Sequence, residues 1–154
     1  MKRWLVSGVF AATLLMQISF GQAGTAEKSL YERLGGQPAI QAVASGLVDR
    51  ILADNRVNKW FTHAASSPEN TKAYKGKLTD FICQAVGGPC KYAGRDMVTA
   101  HRGRGVTNEA FSAVAEDLSA VLDQLKVPAK EKGEVMKLVA SLKPSIVQEA
   151  AVKQ

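Results

Sequence analysis

The sequence predicts an all-α domain built on four main helices. Three observations carry this: apolar residues recur at helical spacing in four stretches, glycine and proline punctuate the intervals, and no stretch alternates with the period of two that a half-buried strand requires.

The first element is short, because "SLYERLGG" spaces Leu30 and Leu34 one turn apart and then meets Gly35 and Gly36, which stop a helix. A longer pattern opens at Pro38, a residue suited to a first turn, and runs through Ile40, Val43, Leu47 and Ile51 to an end near Asp54 and Asn55. "VNKWF" is too brief for a full helix and sets Trp60 and Phe61 at a corner. Ser67 followed by Pro68 is a good cap followed by a good first residue, so the next helix starts there. Its apolar face is Tyr74, Leu78, Phe81 and Ile82, and Gly87, Gly88 and Pro89 end it. From Cys90 to Gly105 the chain holds four basic residues and three glycines and reads as loop, with at most a short helix over Met97 to His101. Two strong helices close the chain. Phe111, Val114, Ala115, Leu118, Val121, Leu122 and Leu125 make the face of one; Val135, Val139, Leu142 and Ile146 make that of the other, which Pro128 opens.

Composition narrows the context. Residues 1–23 read as a secretory leader: Lys2 and Arg3 form a basic start, "WLVSGVFAATLLMQISF" an apolar run, and Gly21 and Ala23 the small residues cleavage requires. Removal near Ala23 would leave an exported, periplasmic chain from residue 24 onward with no stable membrane insertion, long enough for one domain. The leader holds no acid, so the rest of the chain carries 18 of the 20 basic side chains against all 14 acidic ones. That mild excess, scattered among acids, fits a solvated surface and not a nucleic-acid partner. Cys83 and Cys90 are the only cysteines. Export makes a disulfide possible, two buried thiols at a helix end are the alternative, and the spacing leaves both open. Zinc-finger spacing is absent.

Enzymatic motifs are thin. The sequence shows no second histidine at metal spacing, no phosphate-binding glycine loop and no serine in a nucleophile elbow. A lone histidine with an apolar approach still suits one cofactor, because a neutral imidazole can ligate haem iron through one ring nitrogen while the other hydrogen-bonds a carbonyl. His101 is the candidate: Met97 shares its helix face and Ala100 beside it admits a flat ring. A structural or surface histidine is the other reading of the same spacing. Without a CxxCH site, any haem is held without thioether bonds.

"SLYERLGGQPAI", "VDRILADNRVNKWF" and "YKGKLTDFICQAVGGPCKYAGRDMVTAHRGRGVT" together resemble the group 1 truncated haemoglobins, short globins built as a two-over-two helical sandwich. The resemblance spans about Ser29 to Val147, and its parts come in order: the first glycine pair, the aromatic corner, the second glycine pair, then "MxxxH" and "GxGVT". It implies a b-type haem with His101 as the proximal iron ligand. It also implies that Phe61 packs on the haem at the corner, that Tyr92 and Met97 line the proximal side, and that Leu47, Val48, Tyr74, Leu78 and Phe81 build the distal pocket.

Two departures from the family pattern stand out. Many members carry a distal tyrosine on the second helix and a glutamine on the distal helix, where this chain has Val48 and Leu78. Tyr74, one turn before Leu78 on the same face, can replace the lost donor; packing over the haem edge or pointing outward are the alternatives. Lys75 and Lys77 flank the distal face, and the resemblance implies that Lys77 pairs with a haem propionate; ligation of iron would need a costly deprotonated amine. His63 falls in a polar loop and reads as exposed.

Two functional classes follow. One is a reversible binder of dioxygen, nitric oxide or carbon monoxide. The other is a haem redox enzyme, a nitric oxide dioxygenase or peroxidase, for which an external reductase must supply electrons because the chain has no flavin motif. Val48 and Leu78 offer no distal acid or base for peroxidase work, which favours binding. A haem-free helical interaction module is the third reading.

Overall fold

Among residues 27–148, which this computed structural model describes, there are seven α-helices, one 3-10 turn and no strand. The expected leader lies outside those residues.

Ser29 opens α1 (Leu30–Leu34) with a reciprocal cap: its hydroxyl accepts from the Glu32 amide at 3.2 Å, and the Glu32 carboxylate accepts from the Ser29 amide at 2.8 Å. Gly35, at φ 106°, closes α1 and directly opens α2 (Gly36–Ala53). Helix α2 therefore starts two residues before Pro38. The proline still sits in the first turn, where it has no intrahelical hydrogen bond to lose. Trp60 ends the 3-10 turn Asn58–Trp60, and α3 (Thr62–Ala65) completes the predicted corner. Ser67 caps α4 (Pro68–Ala85) by accepting from the Asn70 amide at 3.1 Å. After the glycine-rich loop come α5 (Met97–His101), α6 (Asn108–Gln124), capped by Thr107, and α7 (Ala129–Ile146), which begins just past Pro128.

Helices α2 and α4 form one packed pair and α6 and α7 another, with α2 crossing α6 to join them. This is the two-over-two sandwich. Gly46 lets the crossing close, since a Cβ there would meet a Val121 methyl at 3.0 Å. The main core lies at this junction, with Val43, Leu47 and Ile51 of α2 packed with Ala110, Leu118 and Leu122 of α6 and Val135 of α7. Arg33 of α1 fastens the outside, donating to Glu131 at 2.7 Å and to Glu134 at 2.8 Å on α7.

A second apolar cluster gathers Ile40, Cys83 and Val86 with Tyr31 and Cys90. Here Cys83 and Cys90 form a disulfide, which settles the alternative that spacing leaves open. Gly88 makes it possible. A Cβ at that position would lie 2.6 Å from both the Cys83 sulfur and the Tyr31 ring. Closing so small a loop restricts the unfolded chain by about 2.5 kcal/mol on the chain-entropy account. Reduction with dithiothreitol should lower unfolding free energy by about that amount, read from denaturant melts with and without reductant.

Asp117 on α6 is buried, and its Oδ2 has no hydrogen-bond partner among the described residues. Burial and the neighbouring Asp54 raise its carboxyl above the ordinary 3.8, against the pull of Arg56 and Arg50 and with a small push from Glu116. An acid whose folded pKa is raised favours folding while protonated, and that contribution is lost as pH rises through the raised value. Ionised Asp117 therefore costs stability at neutral pH. Asp117→Asn, whose amide can donate to Asp54, should stabilise the fold by about 1 kcal/mol at neutral pH. The gain should shrink as pH falls through the raised pKa toward 3.8, as thermal melts over that range would show.

Candidate functional site

Helix α4 organises the site. Its cap fixes where it starts, and from there helical spacing brings Tyr74, Leu78 and Phe81 to a half-buried face. Tyr74 and Leu78 pack against the main core beside Phe61, and the Phe61 and Tyr74 rings lie 5.8 Å apart at 58°. Leu47 and Val48 are both buried on α2, Leu47 at 6% exposure and Val48 at 0%. Of the distal residues named from the sequence, Leu47, Tyr74 and Leu78 meet at the α2, α4 and corner junction, while Phe81 faces Tyr92 and Val48 is fully buried on α2. Lys77 stays exposed on α4. Lys75 is held to α2, its ammonium pairing with Asp49 at 2.7 Å.

Burial pushes the Tyr74 hydroxyl up to about 12, with Tyr92 adding to the rise and Arg104 opposing it. The phenol therefore stays neutral and remains a donor throughout the physiological range.

Tyr92 continues the wall beyond α4. Its ring meets Phe81 edge-on at 5.2 Å, and its amide donates to the Gln84 side chain at 2.8 Å. The hydroxyl donates to the Arg95 carbonyl at 3.1 Å and fills the space a side chain at Gly94 would need, a Cβ there lying 2.1 Å from the hydroxyl oxygen. Asp96 then caps α5, accepting from the Thr99 amide at 2.9 Å, and the Thr99 side chain first and this amide second lower its carboxyl below the usual range. One turn on, His101 Nδ1 donates to the Met97 carbonyl at 2.8 Å. A carbonyl can only accept, so this bond places the proton on Nδ1 and leaves the Nε2 lone pair available. Met97 and His101 are both half-buried.

Two further contacts hold the loop after His101. The Trp60 indole donates to the Arg104 carbonyl at 2.9 Å, tying the corner to this loop, and the Gln148 amide donates to the Val106 carbonyl at 3.0 Å. The sequence reading missed both roles, as it missed Gln84. The Asp-x-x-Thr cap at α5 did carry a sequence signal. His63 is exposed on α3, as expected. No group of three or more histidine, cysteine, aspartate or glutamate side chains that could hold a metal ion occurs among the described residues, and no helix there is long and apolar enough to cross a membrane.

The profile of the bacterial-like globin family matches residues 29–148. A group 1 truncated haemoglobin from Mycolicibacterium paratuberculosis is 35% identical over 125 residues, covering 81% of this chain and 88% of the relative. The chain belongs to the group 1 truncated haemoglobins. A second truncated haemoglobin of this group, from Tetrahymena thermophila, is 33% identical over 113 residues, covering 73% of this chain and 89% of its own. Among solved structures, the truncated haemoglobin of Tetrahymena pyriformis in the Fe(III) form superposes with a TM-score of 0.70 at 30% identity, covering 79% of this chain and 100% of that one. The 2/2 haemoglobin of a Synechococcus species, in the cyanomet state with covalently attached haem, gives a TM-score of 0.66 at 33% identity, covering 75% and 94%. As a member of the truncated haemoglobins, the chain is a haem-binding globin. Its residues fit the group: a half-buried imidazole with one nitrogen engaged and one available, in a chain whose α2, corner and α4 gather Leu47, Phe61, Tyr74 and Leu78 into one apolar cluster.

Proposed function

We propose that the chain holds haem b through His101 and reversibly binds dioxygen or another diatomic ligand, nitric oxide or carbon monoxide. The observation that carries this is the His101 Nδ1 bond to the Met97 carbonyl, which orients the ring and presents Nε2 for coordination. Bound haem would supply an iron able to take a gas molecule. Phe61, Leu47, Val48, Leu78 and Phe81 form an apolar pocket that admits small neutral gases, Tyr92 and Met97 support the proximal side, and exposed Lys77 pairs with a propionate. Tyr74 donates a hydrogen bond to the bound ligand in place of the donors missing at Val48 and Leu78. Residues 1–23 act as a cleaved leader that sends the globin domain, from residue 24 onward, to the periplasm, a placement that the disulfide supports.

The test is the absorption spectrum of the mature chain titrated with haemin, in ferric, ferrous and carbon-monoxide-treated states, followed by a dioxygen equilibrium curve. Stoichiometric binding with a histidine-type carbonmonoxy spectrum and reversible oxygenation is the expected result. A chain that forms no specific haem spectrum is a globin-shaped domain with another task, and the gas-binding reading falls.

A further inference from the structure

Arg33, Arg56, Lys75, Lys130 and Lys132 each meet a carboxylate. Several cations, Lys28, Arg50, Lys72, Lys126, Lys137 and Lys143, form no ion pair with a described residue and are scattered along the chain. In the His101 segment and at the corner tied to it such cations are concentrated: Lys59, Lys91, Arg95, Arg102 and Arg104 are all exposed, and none forms an ion pair with a described residue. Asp96 is the only acid between residues 90 and 107, and the α5 cap already engages it. Lys59 stacks over Trp60 at 4.2 Å, and Trp60 in turn holds the loop that carries Arg104, so the cations on the corner and on the loop belong to one rim. Within that rim Val98 stands 49% exposed on α5, the most exposed of the large hydrophobic residues described. A small apolar centre within a ring of uncompensated like charge is the anatomy of a brief, electrostatically steered protein encounter. Haem brings two propionates, which neutralise at most two of these cations.

We propose that this rim is the docking surface for an acidic electron-carrier protein that reduces the ferric iron. The proposal rests on the haem-binding reading above. One electron leaves the reduced carrier and converts ferric iron to ferrous; no bond forms or breaks, and the carrier is oxidised by one electron. Charge complementarity selects the partner. A lone exposed valine is too little apolar surface to insert into a lipid bilayer, while it suits the small, wet contact of a redox pair that must separate after each transfer.

The test pairs the haem-loaded mature chain with an acidic flavodoxin as the probe carrier. Reduction of wild type by flavodoxin hydroquinone should slow by at least about tenfold between low and moderate salt, and K91E/R95E/R102E should be slower by a similar factor at low salt. Its carbonmonoxy spectrum and its reduction by dithionite should stay normal. K28E/K126E/K137E, which reverses three exposed unpaired lysines outside the rim, matches the change in net charge and should slow reduction far less. Amide shifts on residues 91–104 upon adding oxidised flavodoxin report docking whether or not haem is present, so a failed haem titration and a failed docking surface read differently. Equal rates for wild type and K91E/R95E/R102E, or shifts confined to another face, would overturn the proposal. So would preferential binding to anionic vesicles or duplex DNA over the carrier.

Discussion

His101→Ala is expected to abolish stoichiometric haem binding, with apparent affinity falling by more than about a hundredfold. Loss of outer-shell partners alone costs metal sites ten- to a hundredfold, and His101 is proposed as the sole protein ligand to iron. The half-buried imidazole donates through Nδ1 to the Met97 carbonyl, so its available nitrogen is fixed in direction before the cofactor arrives. Alanine removes that nitrogen and favours the helix, so α5 should persist and far-UV circular dichroism should hardly change. Haemin titration is the measurement, with added imidazole as a second readout: a ligand diffusing into the vacated space should restore part of the ferric spectrum. His63→Ala should titrate as wild type, since that side chain is exposed on α3. Unimpaired haem binding by His101→Ala together with loss in His63→Ala would sink the assignment of the ligand.

Why the short helix ending at His101 was readable and its tertiary surroundings less so comes down to what is local. The helices follow from amphipathic spacing and from caps at Ser29, Ser67, Asp96 and Thr107, each satisfied within a few residues of itself. The α2 start was misplaced by two residues because a single left-handed glycine, Gly35, both ends one helix and begins the next. Whether Cys83 and Cys90 could meet depended on Gly88 folding the chain back between the Cys83 sulfur and the Tyr31 ring, a crowding that no spacing rule encodes. Lys75 and Lys77 sit two residues apart on one helix, and what separates them is Asp49 on α2, whose position follows only from how α2 packs on α4. The same holds for Trp60 reaching the Arg104 carbonyl, 44 residues away. Asp117 is a different case, lying one turn from both Val114 and Val121. The sequence reading did not include it in the buried face, and its unfavourable pairing with Asp54 needed the tertiary fold.

Tyr74→Phe should release dioxygen about ten to a hundred times faster than wild type. Dioxygen on ferrous haem carries partial negative charge, and a hydrogen bond to such a ligand is worth about 1.5 to 3 kcal/mol. Val48 and Leu78 occupy the places where many relatives carry donors, and neither has a polar atom to offer. The Tyr74 ring is set against Phe61 and the core, and burial holds its hydroxyl protonated up to about 12, so it can donate but not ionise. Phenylalanine keeps the ring and its packing, which confines the change to one hydroxyl. Carbon monoxide takes up little negative charge from iron, so its release should change far less than that of dioxygen. That contrast separates a lost hydrogen bond from a pocket that has merely opened, since opening would speed both gases together. Stopped-flow displacement of each ligand reads both rates, and an unchanged dioxygen off-rate would place the Tyr74 hydroxyl beyond the ligand's reach, leaving the pocket to hold its gas by apolar enclosure alone.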